Sequence, residues 1–207
     1  MSLTDDAYTR LKRLIVTLGL PPGAALDEGV LRDQLCIGRT PIREAIQRLE
    51  RDQFVRIVPR RGVFVTTIDV DELATLFETR SVIEPYAARL AAKRGTAEAW
   101  RQMSAELARA ERLKDSSKLL LVDRRCHEIM WEAAGNRYLT DTLEMLYTHS
   151  ERVWHLYLRK VADMHTAVGE HREVLDALAS GDADLAATLV ESHVRHFDAE
   201  IRAAANS

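Results

Sequence analysis

The chain has 207 residues, 46% of them hydrophobic and 29% charged, with a formal net charge of −3. This length suits one large or two modest globular domains, and no apolar run approaches the ~20 residues needed to span a bilayer. Two distant cysteines, Cys36 and Cys126, exclude a disulfide framework, and "MSLTDDAYTRLKR" lacks an apolar signal core, so the sequence reads as cytoplasmic with no membrane association.

Leu11, Leu14, Ile15 and Leu18 recur at the spacing of one helical face, predicting an amphipathic helix over Tyr8–Leu18 that "GLPPG" (Gly19–Gly23) ends. Leu31 and Leu35 mark a short second helix, and "CIG" (Cys36–Gly38) is a tight turn. A third helix comes next, with Ile42, Ala45, Ile46 and Leu49 as its buried stripe. Pro41 is tolerated in its first turn, where N–H groups lack intrahelical partners, and either Gly38 or Thr40 caps it. "FVRIVPRRGVFVTTI" (Phe54–Ile68) predicts two short strands around the turn "PRRG". Helix, helix, turn, helix and basic hairpin describe a winged helix-turn-helix over residues 1–68.

From residue 69 the pattern is helical to the end. Asp69–Arg94 reads as one long helix with Leu73, Leu76, Phe77 and Ile83 inward, and Gly95, "KDSSK", "AGN", Gly169 and "SGD" punctuate the rest of the chain. The prediction is an all-α antiparallel bundle of six or seven helices over residues 69–207, so the chain is mostly α with one small β-hairpin wing. "TTIDVD" (Thr66–Asp71) is the expected hinge.

Charge divides the same way. The first 69 residues hold 11 Lys+Arg against 9 Asp+Glu, the remainder 18 against 23. A basic head on an acidic body points to a polyanion partner, although a merely solubilised surface helix also carries such charges. A third helix with Thr40, Glu44, Gln47 and Arg51 on its outer face, flanked by Arg43 and Arg48, can enter the major groove, where Arg reads guanine through two parallel hydrogen bonds. Arg60 and Arg61 at the hairpin tip can clamp phosphates or reach the minor groove.

The runs "PPGAALDEGVL", "IGRTPIREAIQRLERDQFV" and "PRRGVFV" closely resemble the N-terminal domain of the GntR family of bacterial transcription regulators, over about the first 66 residues. The resemblance implies operator contact by Arg39, Thr40, Arg43 and the wing around Gly62, whose missing side chain lets the backbone approach DNA. Three positions depart from the family pattern. Gly38 replaces a usual Ser or Thr, Gly29 stands where a basic residue is frequent, and Asp52-Gln53 replaces an acidic–Gly pair.

All seven histidines lie between His127 and His196. Asp123 and His127 are i, i+4 and so adjacent on one helical face. His171 shares a row with Val168, Val174 and Leu178, and His193 with Ala186, Val190 and Phe197. His171 precedes Gly181 by 10 residues and His193 comes 11 after Asp182, so at ~1.5 Å per residue an antiparallel hairpin brings both to one height. One carboxylate and three imidazoles suit a borderline divalent ion: zinc first, with nickel or manganese also fitting. The alternative is that each histidine is a hydrogen-bonded core residue. His149, His155 and His165 read as surface or supporting residues, and His196 as a reserve ligand.

"VDRRCH", "AGNRYL", "GEHREVLDALASGDADLA" and "ESH" resemble, in order, the all-helical FCD effector domain of the FadR-type GntR subfamily. That resemblance implies a divalent metal on Asp123, His127, His171 and His193, beside a pocket for small carboxylates. It also matches an Arg-x₃-Glu motif to Arg80 and Glu84. Arg80 then either forks onto an effector carboxylate or pairs structurally with Glu84.

These readings together predict a homodimeric transcriptional regulator, not an enzyme. It binds a pseudo-palindromic operator in double-stranded DNA and responds to a small organic acid beside the metal. Two alternatives stay open: a DNA-binding protein with a purely structural metal, and a metal-dependent hydrolase or hydratase, for which no nucleophile motif or phosphate loop is present.

Overall fold

The computed structural model describes residues 2–157 and 164–205, and the chain divides into two units, Met1–Asp69 and Val70–Ser207. The first unit opens with α1 (Leu3–Val16), which begins well before its apolar stripe. Ser2 and Asp5 form a reciprocal capping box there: Ser2 Oγ accepts from the Asp5 N–H at 3.1 Å, and Asp5 Oδ2 accepts from the Ser2 N–H at 3.2 Å. Then come β1 (Ala25–Leu26), α2 (Glu28–Leu35), α3 (Arg39–Arg51), β2 (Val55–Val58) and β3 (Gly62–Val65).

The sheet has three strands rather than the expected two, in the order β1-β3-β2 and antiparallel throughout. Two residues of β1 are too short to show alternation in sequence; only pairing of Ala25 with Phe64 and Leu26 with Val63 makes them a strand. The core of this unit gathers Leu11 and Ile15 from α1, Ile42, Ala45 and Leu49 from α3, and Phe54 behind them, all at 0% exposure. Gly38 is the α3 cap, in extended conformation and without a side-chain hydrogen bond.

At the other end of α3 the residue in the left-handed region is Gln53, with φ +63°. A side chain there costs ~1–2 kcal/mol, partly offset by the larger unfolded-state entropy of glycine. Gln53→Gly is therefore expected to raise stability by up to about 1 kcal/mol, read as a higher denaturant midpoint with an unchanged slope.

The second unit holds six helices among the described residues: α4 (Val70–Arg94), α5 (Ala97–Ala110), α6 (Ser116–Ala133), α7 (Arg137–Tyr157), α8 (Met164–Ser180) and α9 (Ala183–Ala205). The inward row of α4 is Leu73, Phe77, Arg80, Glu84, Ala87 and Ala91, while Leu76 and Ile83, expected inward, are only half-buried. Hydrophobicity alone misplaces this face because two charged residues occupy its centre. Alternating spacings of four and three residues keep the row on one side, and its alanines let α9 pack closely along α4.

The α8–α9 hairpin turns at Gly181, whose φ of +77° favours a residue without a side chain. Asp182 then starts α9, its Oδ1 accepting from the Leu185 N–H at 3.0 Å. Among the described residues no helix is long and apolar enough to cross a membrane.

Candidate functional site

The hairpin sets His171 on α8 beside His193 on α9, with ring centroids 4.4 Å apart. From α6, one turn apart, Asp123 and His127 face the same point. One ligand atom from each of the four lies within 4.8 Å of every other, and all four side chains are buried. His196, the expected reserve, is not in this group. It is partly exposed and bonded through Nδ1 to Glu170 Oε1 at 2.6 Å.

The surroundings of the four side chains decide what they can do. His193 Nδ1 lies 2.7 Å from Glu170 Oε2, and His171 Nδ1 lies 3.3 Å from the Ala167 carbonyl. His127 Nδ1 is 2.5 Å from Glu84 Oε1, although its N–H direction is off that contact. Acceptors at the Nδ1 atoms of His193 and His171 assign the proton to that side of both rings and leave Nε2 as a lone pair, and the Glu84 carboxylate against His127 Nδ1 favours the same arrangement there.

Those lone pairs converge. His127 Nε2 and His193 Nε2 are 3.3 Å apart, and Asp123 Oδ1 is 3.7 Å from His193 Nε2. Two donors each ~2.1 Å from one tetrahedral ion are separated by about 3.4 Å, so these spacings fit a divalent metal. Asp123 Oδ1 and His171 Nε2 are buried without any hydrogen-bond partner. Buried orphan acceptors are costly, and a cation among them satisfies every one.

Tyr147 completes the support by donating its hydroxyl to Asp123 Oδ2 at 2.6 Å. Burial, and then the Asp123 charge, raise the Tyr147 hydroxyl well above its ordinary value, so it keeps its proton and remains a donor. Burial, followed by the neighbours His193 and His127, holds the His171 imidazole well below its ordinary value, which preserves it as a neutral ligand.

Arg80, on α4, takes its structural pairing in this arrangement. Its Nε and Nη2 donate to Glu84 Oε2 at 3.0 and 2.8 Å, and Nη1 donates to Ser150 Oγ at 3.1 Å. Glu84 accepts in addition from Trp131 Nε1 at 3.1 Å. Burial alone would raise the Glu84 carboxyl, but Arg80 and His127 outweigh it and hold the group well below the usual carboxylate range. One buried carboxylate thus joins the expected effector arginine to an expected metal ligand.

In the first unit Arg39, Thr40, Arg43 and Gln47 are exposed on α3, and Arg60, Arg61 and Gly62 at the wing tip. The first turn of α3 carries no acidic residue and no capping side chain, so its positive end is uncompensated. Gly62 has φ +112°, a conformation that side chains rarely adopt. Arg48 is engaged elsewhere: it stacks over the Tyr8 ring at 3.9 Å and pairs with Asp5 at 3.3 Å, tying α3 to α1. Arg43 donates from Nε to Glu28 Oε2 at 2.8 Å.

Sequence reasoning missed Tyr147, Trp131 and Glu170, and named Glu84 only as a partner of Arg80. Glu170 stands next to His171 in sequence yet bonds His193 across the hairpin, which no single-helix spacing reveals.

Residues 3–65 match the bacterial regulatory proteins of the gntR family, and residues 75–196 match the FCD domain. An HTH-type transcriptional regulator from an unstable DNA locus of Streptomyces ambofaciens is 28% identical over 191 residues, covering 92% of this chain and 81% of that protein. Among solved structures, E. coli McbR/YncC superposes with a TM-score of 0.88 at 21% identity, covering 98% of both chains. The metal-free FCD domain of TM0439 matches with a TM-score of 0.58 at 20% identity, over 68% of this chain and 98% of that one.

Proposed function

This chain belongs to the gntR family of bacterial regulatory proteins, carries an FCD domain and is a DNA-binding transcriptional regulator rather than an enzyme; we propose that a small organic acid, bound beside a divalent metal, controls its operator affinity. Residues 1–68 act as the winged helix-turn-helix and residues 69–207 as the effector-binding and dimerisation domain. A cytoplasmic homodimer presents two α3 helices to a pseudo-palindromic operator, through Arg39, Thr40, Arg43 and Gln47, with Arg60, Arg61 and Gly62 on the adjacent backbone or minor groove.

The observation that supports the sensing half is the gathering of Asp123, His127, His171 and His193, one ligand atom of each within 4.8 Å of every other, with Asp123 Oδ1 and His171 Nε2 buried without a hydrogen-bond partner. Asp123, His127, His171 and His193 would hold the ion, zinc first. When bound, the metal supplies a Lewis-acidic centre for an anion. With one carboxylate and three neutral imidazoles, a divalent ion leaves the centre at a charge of about +1, which an acid's carboxylate neutralises. Arg80 has further N–H groups beyond those given to Glu84 and Ser150, and these are the proposed second hold on the acid. The acid changes operator affinity only by as much as it prefers one arrangement of the protein over another.

The test compares chelator-stripped with zinc-reloaded protein in a thermal-shift screen of small carboxylates, then in operator titration. The expected result is an acid that stabilises only the reloaded protein and changes its operator affinity by about tenfold, a typical coupling. A reloaded protein that ignores every carboxylate, and whose helical unit melts on chelation, would instead have a structural ion. That second reading is favoured by one observation, the existing satisfaction of Arg80 by Glu84 and Ser150.

A further inference from the structure

We propose that Glu28 is a positioning residue for base reading: it holds the Nε edge of Arg43 so that the Nη1/Nη2 edge is offered to a guanine. The inference rests on the reading of α3 as the helix that enters the major groove.

Glu28 is the first residue of α2, but it is not what starts that helix. Asp27 does so, its Oδ1 accepting from the Gly29 N–H at 2.7 Å and the Val30 N–H at 2.9 Å. The Glu28 side chain instead turns toward α3. Its Oε2 accepts from Arg43 Nε at 2.8 Å, and Arg39 Nε is 3.8 Å from the same oxygen. One carboxylate therefore faces both arginines expected to read bases.

Stability does not account for this contact. The Arg43 side chain is 52% exposed and that of Glu28 32%, and pairs so exposed contribute little to folding. Its geometry does have a use in recognition. A guanidinium reads guanine O6 and N7 through two parallel N–H groups. With Nε engaged by Glu28, the fork that remains is Nη1 with Nη2, and no other contact of these two atoms within the described residues competes for it. A long side chain already ordered loses less entropy when DNA arrives, which sharpens the response to the correct base. The Glu28 charge acts in the same direction on wrong sequences, because it repels phosphates wherever the guanine contact is not made.

The experiment uses full-length protein, an operator isolated by selection from random duplexes, and an unrelated duplex of equal length at one salt concentration. Glu28→Ala is expected to bind the operator about tenfold more weakly, within the range for one bidentate base contact, and the unrelated duplex equally well or more tightly. Glu28→Gln retains an acceptor for Arg43 Nε and is expected to recover most of the operator affinity. Replacing the contacted guanine by 7-deazaguanine, which lacks N7, should weaken the wild type far more than Glu28→Ala.

If both variants bind both duplexes more tightly by one common factor, Glu28 is only a repulsive charge and the proposal is wrong. It is also wrong if both duplexes are lost equally along with a lowered melting temperature. Should Arg43→Ala bind the operator like wild type, the assignment of α3 is what fails. Should Arg43→Ala lose the operator while Glu28→Ala keeps full discrimination, the positioning role alone is removed.

Discussion

Replacing Arg43 by alanine is expected to reduce operator binding in a gel-shift assay to the level of an unrelated duplex, with the fold unchanged. The side chain is half-exposed and, among the described residues, its ion pair is the surface one with Glu28, so its removal leaves the core of Leu11, Ile42, Leu49 and Phe54 untouched. A lost bidentate base contact costs about 1–3 kcal/mol, and the proposed symmetric dimer would lose it twice, so the affinity is expected to fall by about 30-fold to more than 10⁴-fold. Arg48→Ala is the contrasting control. Its guanidinium lies over Tyr8 and beside Asp5, so it should lower the melting temperature and leave discrimination between duplexes intact. Operator binding by Arg43→Ala at wild-type affinity would end the assignment of α3 as the reading helix.

Metal affinity offers the second large effect, and its ranking is as informative as its size. His193→Ala removes one of four converging donors and is expected to weaken zinc binding by more than about 100-fold, beyond the 10–100-fold typical when an outer partner of a ligand is lost. Glu84→Gln and Glu170→Gln should fall within that lower range, since they support His127 and His193 without touching the ion. His196→Ala should change affinity least, because it reaches the centre only through Glu170. Competition against a chromophoric chelator measures all four on one scale. Equal zinc affinity for wild type and His193→Ala would place the ion elsewhere and dissolve the proposed centre.

Glu84→Gln carries a further consequence for sensing. Glu84 bonds Arg80 through Oε2 and lies against His127 through Oε1, so its charge is felt at both proposed contacts of the acid. If the acid and the ion help each other bind, that assistance must be equal in both directions, and neutralising Glu84 should diminish it in both.

How much of this was legible in sequence differs from element to element. The α3 stripe of Ile42, Ala45, Ile46 and Leu49 was readable because a helix buries its apolar residues at a spacing that the chain displays directly. The common height of His171 and His193 was readable for a related reason, since a short turn makes helix rise a ruler. β1 was not legible, because two residues acquire a strand's character only from a partner found later in the chain. The inward face of α4 was misread at Leu76 and Ile83, because Arg80 and Glu84 occupy core positions that polarity argues against.

By itself, then, the amino-acid order determined the helical periods, the turn residues, and the four side chains with a donor set fit for a divalent ion. These arise from interactions within a few residues, which local spacing records. Tertiary structure alone decided that Glu84, Glu170 and the Ala167 carbonyl take the three Nδ1 positions, that Tyr147 keeps Asp123 in place, and that Glu28 meets Arg43. Most of those contacts join different helices, and the direction in which a polar atom points depends on packing that no periodicity encodes.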